Sequence, residues 1–325
     1  MLFSFSGGII HLLENLQSLI ALLFDTGGNE MSDYILSCGS VSDLTKEHYE
    51  RRKLHVVNYH FLVDNVVYVD DMGESYPFPK FYQAMRDGAI TKTSQVSIGE
   101  YFQSWEPLLQ DGHDILHVEL SSGLSGVVHS ALEAAKMLME KYPQRKIIVV
   151  DSLGASSGYG LLMDKLADNR DAGMSMEDNA AWAIEHRLEM HHWFFSTDLK
   201  YYVRGGRISR TSGFLGNLLH VCPLLNMDKE GHLAPREKVR TVKKVEQRIV
   251  EKMEENAFDG LNYSDKVYLC HSDCLEYAEA IKNMVQQKFP KIKGPIEINW
   301  IGTTIGSHSG PGTAALFFWG KKRDN

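Results

Sequence analysis

Residues 115–126, Ile-Leu-His-Val-Glu-Leu-Ser-Ser-Gly-Leu-Ser-Gly, decide the fold class of this chain. Their first half is a short apolar run typical of a buried β-strand, and their second half is a turn rich in serine and glycine. A helical pattern follows over 127–141, and another apolar run follows over 147–150. This order of strand, turn, helix and strand predicts a parallel βαβ unit.

Similar patterns continue on both sides of this unit. Apolar runs at 34–38 and 56–57 and a helical pattern over 78–87 precede it, and a polar turn at Asp151-Ser152 leads into a helix that reaches Leu166. After Trp193 the apolar runs are shorter and alternate with more basic helical patterns. The sequence therefore predicts two α/β domains, 31–190 and 191–325, each with its own core and with a ligand cleft between them.

Composition excludes some classes of function. The chain has 325 residues, a hydrophobic fraction of 43% and a formal net charge of −8. A nucleic-acid-binding domain normally has a basic surface, so we expect no nucleic-acid partner. The four cysteines lack the spacing of a disulfide framework, which favours a reducing compartment and a cytoplasmic location.

Residues 1–30 differ from the rest of the chain. An apolar stretch over 9–24 is interrupted by His11, Glu14, Asn15 and Gln17, and almost no basic residue precedes it. It is neither a typical signal peptide nor a membrane span, so we expect no stable membrane insertion. Two interpretations stay open: an amphipathic helix that lies on a membrane or on the protein, or an extension ahead of a natural start at Met31.

The segment Cys270-His271-x-x-Cys274 suggests a zinc site, but no second ligand pair follows at the usual distance. We expect no metal, and we expect both cysteines to pack as small apolar side chains.

Four polar turns far apart in sequence can converge on one anionic group. They are Thr93-Ser94-Gln95, residues 121–126, residues 204–209 and Gly306-Ser307-His308. In α/β proteins such turns follow strands and hold anions at helix N-termini, so we expect a bound carboxylate.

Each turn also has a plainer interpretation. Thr93 could cap the helix near Glu100, and one of the serines at 121–125 could cap the helix that follows. His308 lies in a glycine-rich loop, where it would be a neutral hydrogen-bond donor or a proton carrier. Arg240 could clamp an anion or belong to a solvated basic face.

The basic residues at 204–210 and 236–248 form a local positive patch on an acidic chain. Such a patch is either solvated or a docking face for a partner.

Taken together, these segments resemble the DegV family of bacterial fatty-acid-binding proteins from about Tyr34 to Gly320. The resemblance is carried by seven motifs in order: Ser40-x-x-Asp43-Leu44, Lys92-Thr93-Ser94-Gln95, residues 121–126, Asp151-Ser152, residues 205–209, Val239-Arg240-Thr241, and His308 with Gly310 and Gly312.

The resemblance implies a fold of two α/β domains that enclose one long-chain fatty acid in an apolar tunnel. It implies that Thr93, Ser125 and His308 bind the carboxylate. Supporting residues are implied to lie nearby: Ser94, Ser122, Arg207 and Arg240. No cofactor and no catalytic residue are implied in this chain.

It also implies a partner, a separate ATP-dependent fatty acid kinase that converts the bound carboxylate to an acyl phosphate for phospholipid synthesis. The chain has no Walker A loop and no kinase-type glycine loop, which agrees with a carrier rather than an enzyme.

Three departures from the family pattern and two alternatives remain. Gly39 replaces the usual acidic residue, Val96 replaces a proline, and Asn58-Tyr59-His60 puts bulky groups near the expected ligand chamber. One alternative is a serine-type lipid hydrolase with Ser125 as nucleophile and His308 as base, although the Gly-x-Ser-x-Gly elbow is absent. The other is a fatty-acid sensor or buffer without a kinase.

Overall fold

The computed structural model describes residues 34–209 and 221–324, so the interpretations of residues 1–30 concern a segment outside the described residues. The strands are Tyr34–Gly39 (β1), Leu54–Val57 (β2), His60–Val63 (β3), Val66–Val69 (β4), Thr91–Ser94 (β5), Asp114–Glu119 (β6), Ile147–Asp151 (β7), Met190–Ser196 (β8), Cys222–Met227 (β9), Leu233–Val239 (β10), Tyr268–His271 (β11), Glu297–Trp300 (β12) and Thr313–Trp319 (β13).

The α-helices are Lys46–Arg51 (α1), Phe78–Arg86 (α2), Ile98–Gln110 (α3), Val127–Lys141 (α4), Ser156–Asp171 (α5), Met176–His186 (α6), Lys200–Arg204 (α7), Val242–Asn256 (α8), Leu275–Lys288 (α9) and Thr303–Ser309 (α10). Within the described ranges, no helix has the length and apolar character needed to cross a membrane.

The first half of the chain builds the predicted parallel sheet, in the order β2-β1-β6-β7. The turn at 121–126 follows β6 and leads into α4, as the sequence indicates. Because parallel strands all end at the same edge, this turn lies at the edge where α/β proteins bind ligands.

A small antiparallel sheet, β4-β3-β5, was not predicted. Its strands have four residues each, which is too short for a clear alternating pattern of apolar residues. Phe61 of β3 packs in a separate aromatic cluster with Tyr76, Phe81 and Tyr82 from α2 and the segment before it.

The second half forms a six-stranded mixed sheet in the order β10-β9-β8-β13-β11-β12. Its pairs are antiparallel except β11 with β12. The α/β fold class is thus confirmed, while the domain boundary at 190 stays a prediction.

The expectation of two separate cores is wrong, because one cluster of buried residues runs through both halves. Helix α5 explains this: it contacts β1 of the parallel sheet and also β8, β11 and β13 of the mixed sheet. Nearly every side of α5 is buried, which is what a helix between two sheets requires.

Candidate functional site

A cavity of about 890 Å³ lies among residues from both halves of the chain. Much of its described wall is apolar, and the larger apolar side chains are Leu120, Leu124, Phe194, Met227, Leu233, Ile301, Ile305 and Phe317. This volume is in the range of small-molecule sites, about 300–1,000 Å³.

Thr93 and His308 meet at one part of this wall. The Thr93 Oγ1 atom lies 2.7 Å from Nε2 of His308, although the two residues are 215 positions apart in the chain. Thr93 is on β5 of the small sheet, and His308 is in the last turn of α10. The contact therefore joins the two halves of the protein at the cavity.

The surroundings of His308 favour one tautomer of its ring. Within the described residues, Nδ1 of His308 has no hydrogen-bond partner, and it faces the backbone of Gly205. A buried N–H without an acceptor would be costly, so we place the ring proton on Nε2, where it is donated to Thr93. The Thr93 hydroxyl then keeps its own hydrogen to donate to a ligand.

The imidazole is neutral over the physiological range. Burial, together with the charge of Arg207, lowers the pKa of His308 to about 3. His308 is thus a neutral donor in the unliganded protein, one of the two roles considered for it from the sequence.

Ser125 reaches the same cavity from the turn before α4. Its Oγ accepts a hydrogen bond from the backbone N–H of Val127 at 3.3 Å, so it satisfies one of the backbone donors at the start of α4. A serine hydroxyl that accepts one bond can still donate another, so Ser125 fits both of the roles considered for it. The positive end of the α4 dipole also favours an anion here.

Arg207 gives this end of the cavity a positive charge. Its guanidinium donates to the carbonyl oxygens of Gly205 at 2.6 Å and Leu124 at 3.1 Å, which ties the 204–207 loop to the serine-rich turn. Burial lowers the pKa of Arg207, yet an arginine stays protonated. No carboxylate in the described ranges forms an ion pair with Arg207. Its positive charge therefore favours an anion in the cavity.

The remaining predicted residues divide into two groups. Ser94 lines the cavity, whereas Ser122 and Arg240 are exposed and are absent from its described lining. The backbone N–H of Ser122 donates instead to Asp151 at 3.2 Å. Of the two serines predicted in the turn at 121–126, Ser125 therefore lines the cavity and Ser122 does not.

Two local predictions are corrected. Thr93 does not cap the helix near Glu100, because Ser97 does so in a reciprocal pair with Glu100. His308 lies on helix α10 rather than in a loop, since the glycines after it begin beyond the helix end.

Tyr59 and Gly205 line the cavity and were not predicted as site residues. The Tyr59 hydroxyl turns away from the cavity and donates to the buried Glu119 at 2.7 Å. The unusual segment Asn58-Tyr59-His60 drew attention to this place, but of its three residues only Tyr59 is in the described lining.

Several polar side chains elsewhere along the wall already have protein partners. The Tyr202 hydroxyl bonds to Thr313 at 3.0 Å, and Ser307 Oγ donates to the Thr303 carbonyl at 2.8 Å. His192 accepts from the Ala155 N–H at 3.3 Å. Groups satisfied in this way present little hydrogen-bonding capacity to a ligand, so this wall suits an alkyl chain.

Cys270 is part of the cavity wall, and all four cysteines are buried free thiols. Burial raises the pKa of the Cys274 thiol to about 12. Among the described residues, the side chains close enough together to share a metal ion are Asp228, Glu230 and His232, on the exposed turn between β9 and β10.

In the part of the chain that the structure describes, Ser125 and His308 do not form the hydrogen-bonded pair of nucleophile and base that a serine hydrolase uses. The Nε2 atom of His308 bonds to Thr93, and Ser125 bonds to Val127, so the described residues contain no hydrogen bond between Ser125 and His308. A nucleophilic serine needs such a bond to its base.

An α/β fold with a mostly apolar cavity, lined also by neutral donors and by Arg204 and Arg207, is typical of the class of small-molecule-binding proteins. More particularly, the chain belongs to the DegV family: residues 38–321 match the family model described as "Uncharacterised protein, DegV family". The family assignment made from the sequence is thereby confirmed.

Known relatives extend over nearly the whole chain. A DegV domain-containing protein of Clostridium perfringens is 32% identical over 294 residues, which are 90% of this chain and 100% of the relative.

Solved structures share the fold. A structure described as fatty acid binding of a DegV family protein from Thermus thermophilus has a TM-score of 0.78 and 26% identity, covering 89% of this chain and 100% of that one. The fatty acid kinase (Fak) B3 protein of Streptococcus pneumoniae, loaded with linoleic acid, has a TM-score of 0.75, 21% identity and coverage of 89% and 99%. At 21% identity the likeness concerns the fold alone.

Proposed function

We propose that this protein binds one long-chain fatty acid, with the carboxylate at Thr93, Ser125 and His308 and the acyl chain in the cavity. The observation that carries the proposal is the pairing of Thr93 with His308 on the wall of a mostly apolar cavity. The fatty-acid binding described for the Thermus thermophilus relative supports it.

The donors at this end match the needs of a carboxylate. A buried anion must recover its lost hydration through hydrogen bonds, and charge-assisted bonds are the strong ones. Thr93 and Ser125 each have a hydroxyl hydrogen to donate. Neutral His308 donates its ring N–H to the Thr93 hydroxyl and so orients it. Arg207 and the N-terminus of α4 supply positive potential without forming an ion pair within the described residues.

The wall provides the affinity for the acyl chain. Each buried CH₂ contributes about 0.8 kcal/mol, so a chain of about 16 to 18 carbons binds well without further polar contacts. Tyr59 and Phe317 bring ring surface to this wall, and so limit the shape of chain that fits.

We further propose that the bound fatty acid is presented to a separate ATP-dependent kinase. The carboxylate oxygen would attack the γ-phosphorus of ATP, with release of ADP, and the resulting acyl phosphate would feed phospholipid synthesis. Support comes from the fold shared with the Streptococcus pneumoniae kinase subunit and from the basic side chains Arg204 and Arg207 at the cavity. On this proposal the chain itself is a carrier and catalyses no step.

Native mass spectrometry of the purified protein, followed by solvent extraction, tests the binding step. We expect one fatty acid per chain. An empty protein that also takes up neither palmitate nor oleate would refute the proposal.

A matched pair of variants tests the site. We expect Ser125→Ala to lose about tenfold in fatty-acid affinity, because one hydrogen bond to a charged group is removed. Ser122→Ala lies in the same turn but outside the cavity lining, and we expect it to bind as the parent does. Equal binding by both variants would contradict the assignment of Ser125.

The kinase step needs its own assay. Acyl phosphate formation is measured by trapping with hydroxylamine, using the loaded protein, ATP and a bacterial fatty acid kinase. Fatty-acid binding without product formation by any such kinase would favour the alternative that this protein is a fatty-acid sensor or buffer without a kinase partner.

A further inference from the structure

Helix α10, which carries His308, is too short to be stable by itself. It has seven residues, and its N-cap, Gly302, has no side chain to bind the first backbone N–H groups. A short helix of this kind depends on tertiary contacts for its position. The orientation of His308 therefore depends on what holds the helix.

Asp70 holds the N-terminus of α10 from a distant part of the chain. One carboxylate oxygen accepts from the Thr303 hydroxyl at 2.7 Å, and the other accepts from the Thr304 N–H at 3.2 Å. Asp70 is only 2% exposed, and it is absent from the described lining of the large cavity. It thus supplies the cap that the local sequence lacks.

Asp43, the acidic residue of the Ser40-x-x-Asp43 motif, lies beside it. A methyl group at Gly302 would come within 2.6 Å of Asp43 Oδ1 and 3.5 Å of Asp70 Oδ1. Glycine is therefore required for the helix start to approach both carboxylates. Burial raises the pKa of both, and the bonds from Thr303 and Thr304 oppose this for Asp70.

The small sheet holds α10 at both ends. Asp70 directly follows β4, and its backbone N–H donates to the Tyr59 carbonyl at 2.8 Å, just before β3 begins. Strand β5 of the same sheet carries Thr93, which bonds to His308. Sheet and helix therefore form one unit whose geometry sets the distance between Thr93 and His308.

We propose that Asp70 is a positioning residue for the carboxylate site: by fixing the start of α10 it aligns His308 with Thr93, and so controls fatty-acid affinity without contacting the ligand. The effect on affinity rests on the proposed function, whereas the effect on His308 does not.

The test compares Asp70→Ala, Asp70→Asn and Asp164→Ala by titration with oleate, with thermal unfolding recorded for each. Asp70→Ala removes both contacts, and we expect about tenfold weaker binding. In Asp70→Asn the amide can serve both partners, because the Thr303 hydroxyl can reverse its role, so we expect affinity within about twofold of the parent. Asp164 is also a buried carboxylate that joins the two halves, through Lys266. Among the described residues, its polar partners His48, Arg52 and Lys266 do not line the cavity. We expect Asp164→Ala to lower thermal stability and leave affinity unchanged.

A second arm separates positioning from general destabilisation. In a His308→Gln background, adding Asp70→Ala should cost less than about twofold in affinity, because the residue through which Asp70 acts is already gone. A full tenfold loss in that background, or equal losses for Asp70→Ala and Asp164→Ala, would overturn the proposal.

The third arm needs no fatty acid. In nitrogen-15 spectra of the unliganded protein, Asp70→Ala should shift the His308 ring signals and Asp164→Ala should not. If Asp70→Ala does not fold, Thr303→Val removes one of the two contacts and is expected to shift the same signals. Unshifted His308 signals in the folded variant would refute the positioning role, whereas an inability of the parent protein to bind oleate would refute the proposed function.

Discussion

Replacement of Gly205 by alanine should misalign the carboxylate site without removing any donor. A Cβ atom at this position would lie 2.4 Å from Nδ1 of His308 and 3.2 Å from the Tyr201 carbonyl oxygen. The backbone of Gly205 has φ −75° and ψ −7°, which alanine adopts freely, so the clash is the whole effect.

The size of the displacement follows from these distances. Favourable contacts between such atoms begin near about 3.5 Å, so the imidazole must move by about 1 Å. The Nε2 atom is 2.7 Å from Thr93 Oγ1, and a shift of this size towards or away from Thr93 leaves the hydrogen-bonding range. We expect overpacking to cost about 1–3 kcal/mol of the free energy of unfolding. Once the His308–Thr93 bond is broken, Thr93 is no longer held in position to donate to the carboxylate. Loss of one bond to a charged ligand costs about 1.5–3 kcal/mol, which weakens binding about ten- to a hundredfold.

Isothermal titration with palmitate and oleate measures the affinity, and urea unfolding measures the stability. Gly99→Ala is the matched control, because Gly99 lies in α3 and its added methyl group would meet no atom closer than 4.0 Å. Parent-like affinity of Gly205→Ala, with the His308 ring signals unmoved, would refute the reasoning.

Three further predictions concern buried groups. Tyr59→Phe removes a donor from the buried Glu119 and should lower the free energy of unfolding by about 1–3 kcal/mol; an unchanged urea midpoint would contradict this. Hydrogen bonds from His48 and Lys266 outweigh burial and hold the pKa of Asp164 well below its usual value, so its stabilising effect is present above about pH 4 and is lost as the pH falls further. The difference in unfolding free energy between the parent and Asp164→Asn should therefore shrink below about pH 4, and a difference that is constant down to pH 2 would count against this account. The pKa of His308 is lowered to about 3, so its ring signals in the unliganded protein should stay constant between about pH 8 and pH 5, and a midpoint near 6.5 would show that the ring is not buried as described. Since the unfolded chain takes up a proton at His308 near pH 6.5 and the folded chain does not, this residue reduces stability as the pH falls below that value.

Much of the fold could be predicted from the sequence because its signals are local. The apolar runs and the helical pattern over 127–141 identify the parallel strands and helix α4, and the predicted and observed bounds of α4 are the same. The short antiparallel sheet β4-β3-β5 gave no such signal, since a four-residue strand shows too few alternations to be distinguished from a loop.

The candidate site could be predicted only in part. Hydroxyl groups and glycines in turns after strands indicated Thr93, Ser125 and His308, and the structure places all three on one cavity wall. Ser122 and Arg240 carry the same kind of local signal but are exposed outside the described lining, because which side of a turn faces a cavity depends on packing. Their suggested supporting roles, like the carboxylate roles of the other three, stay predictions.

By itself the sequence determined the α/β class, the order of its main elements, and the membership in the DegV family that the family match confirms. These properties depend on residues that are close together in the chain, because the periodicity of apolar residues and the preferences of turn residues extend over only a few positions. Only the tertiary structure decided that α5 joins both halves into one core, that Asp70 caps α10, and that His308 bonds to Thr93 rather than to Ser125. The physical reason is that the hydrogen-bonded pairs are more than 200 positions apart and α5 meets both sheets at once, so their geometry follows from how sheets and helices pack and not from any local pattern.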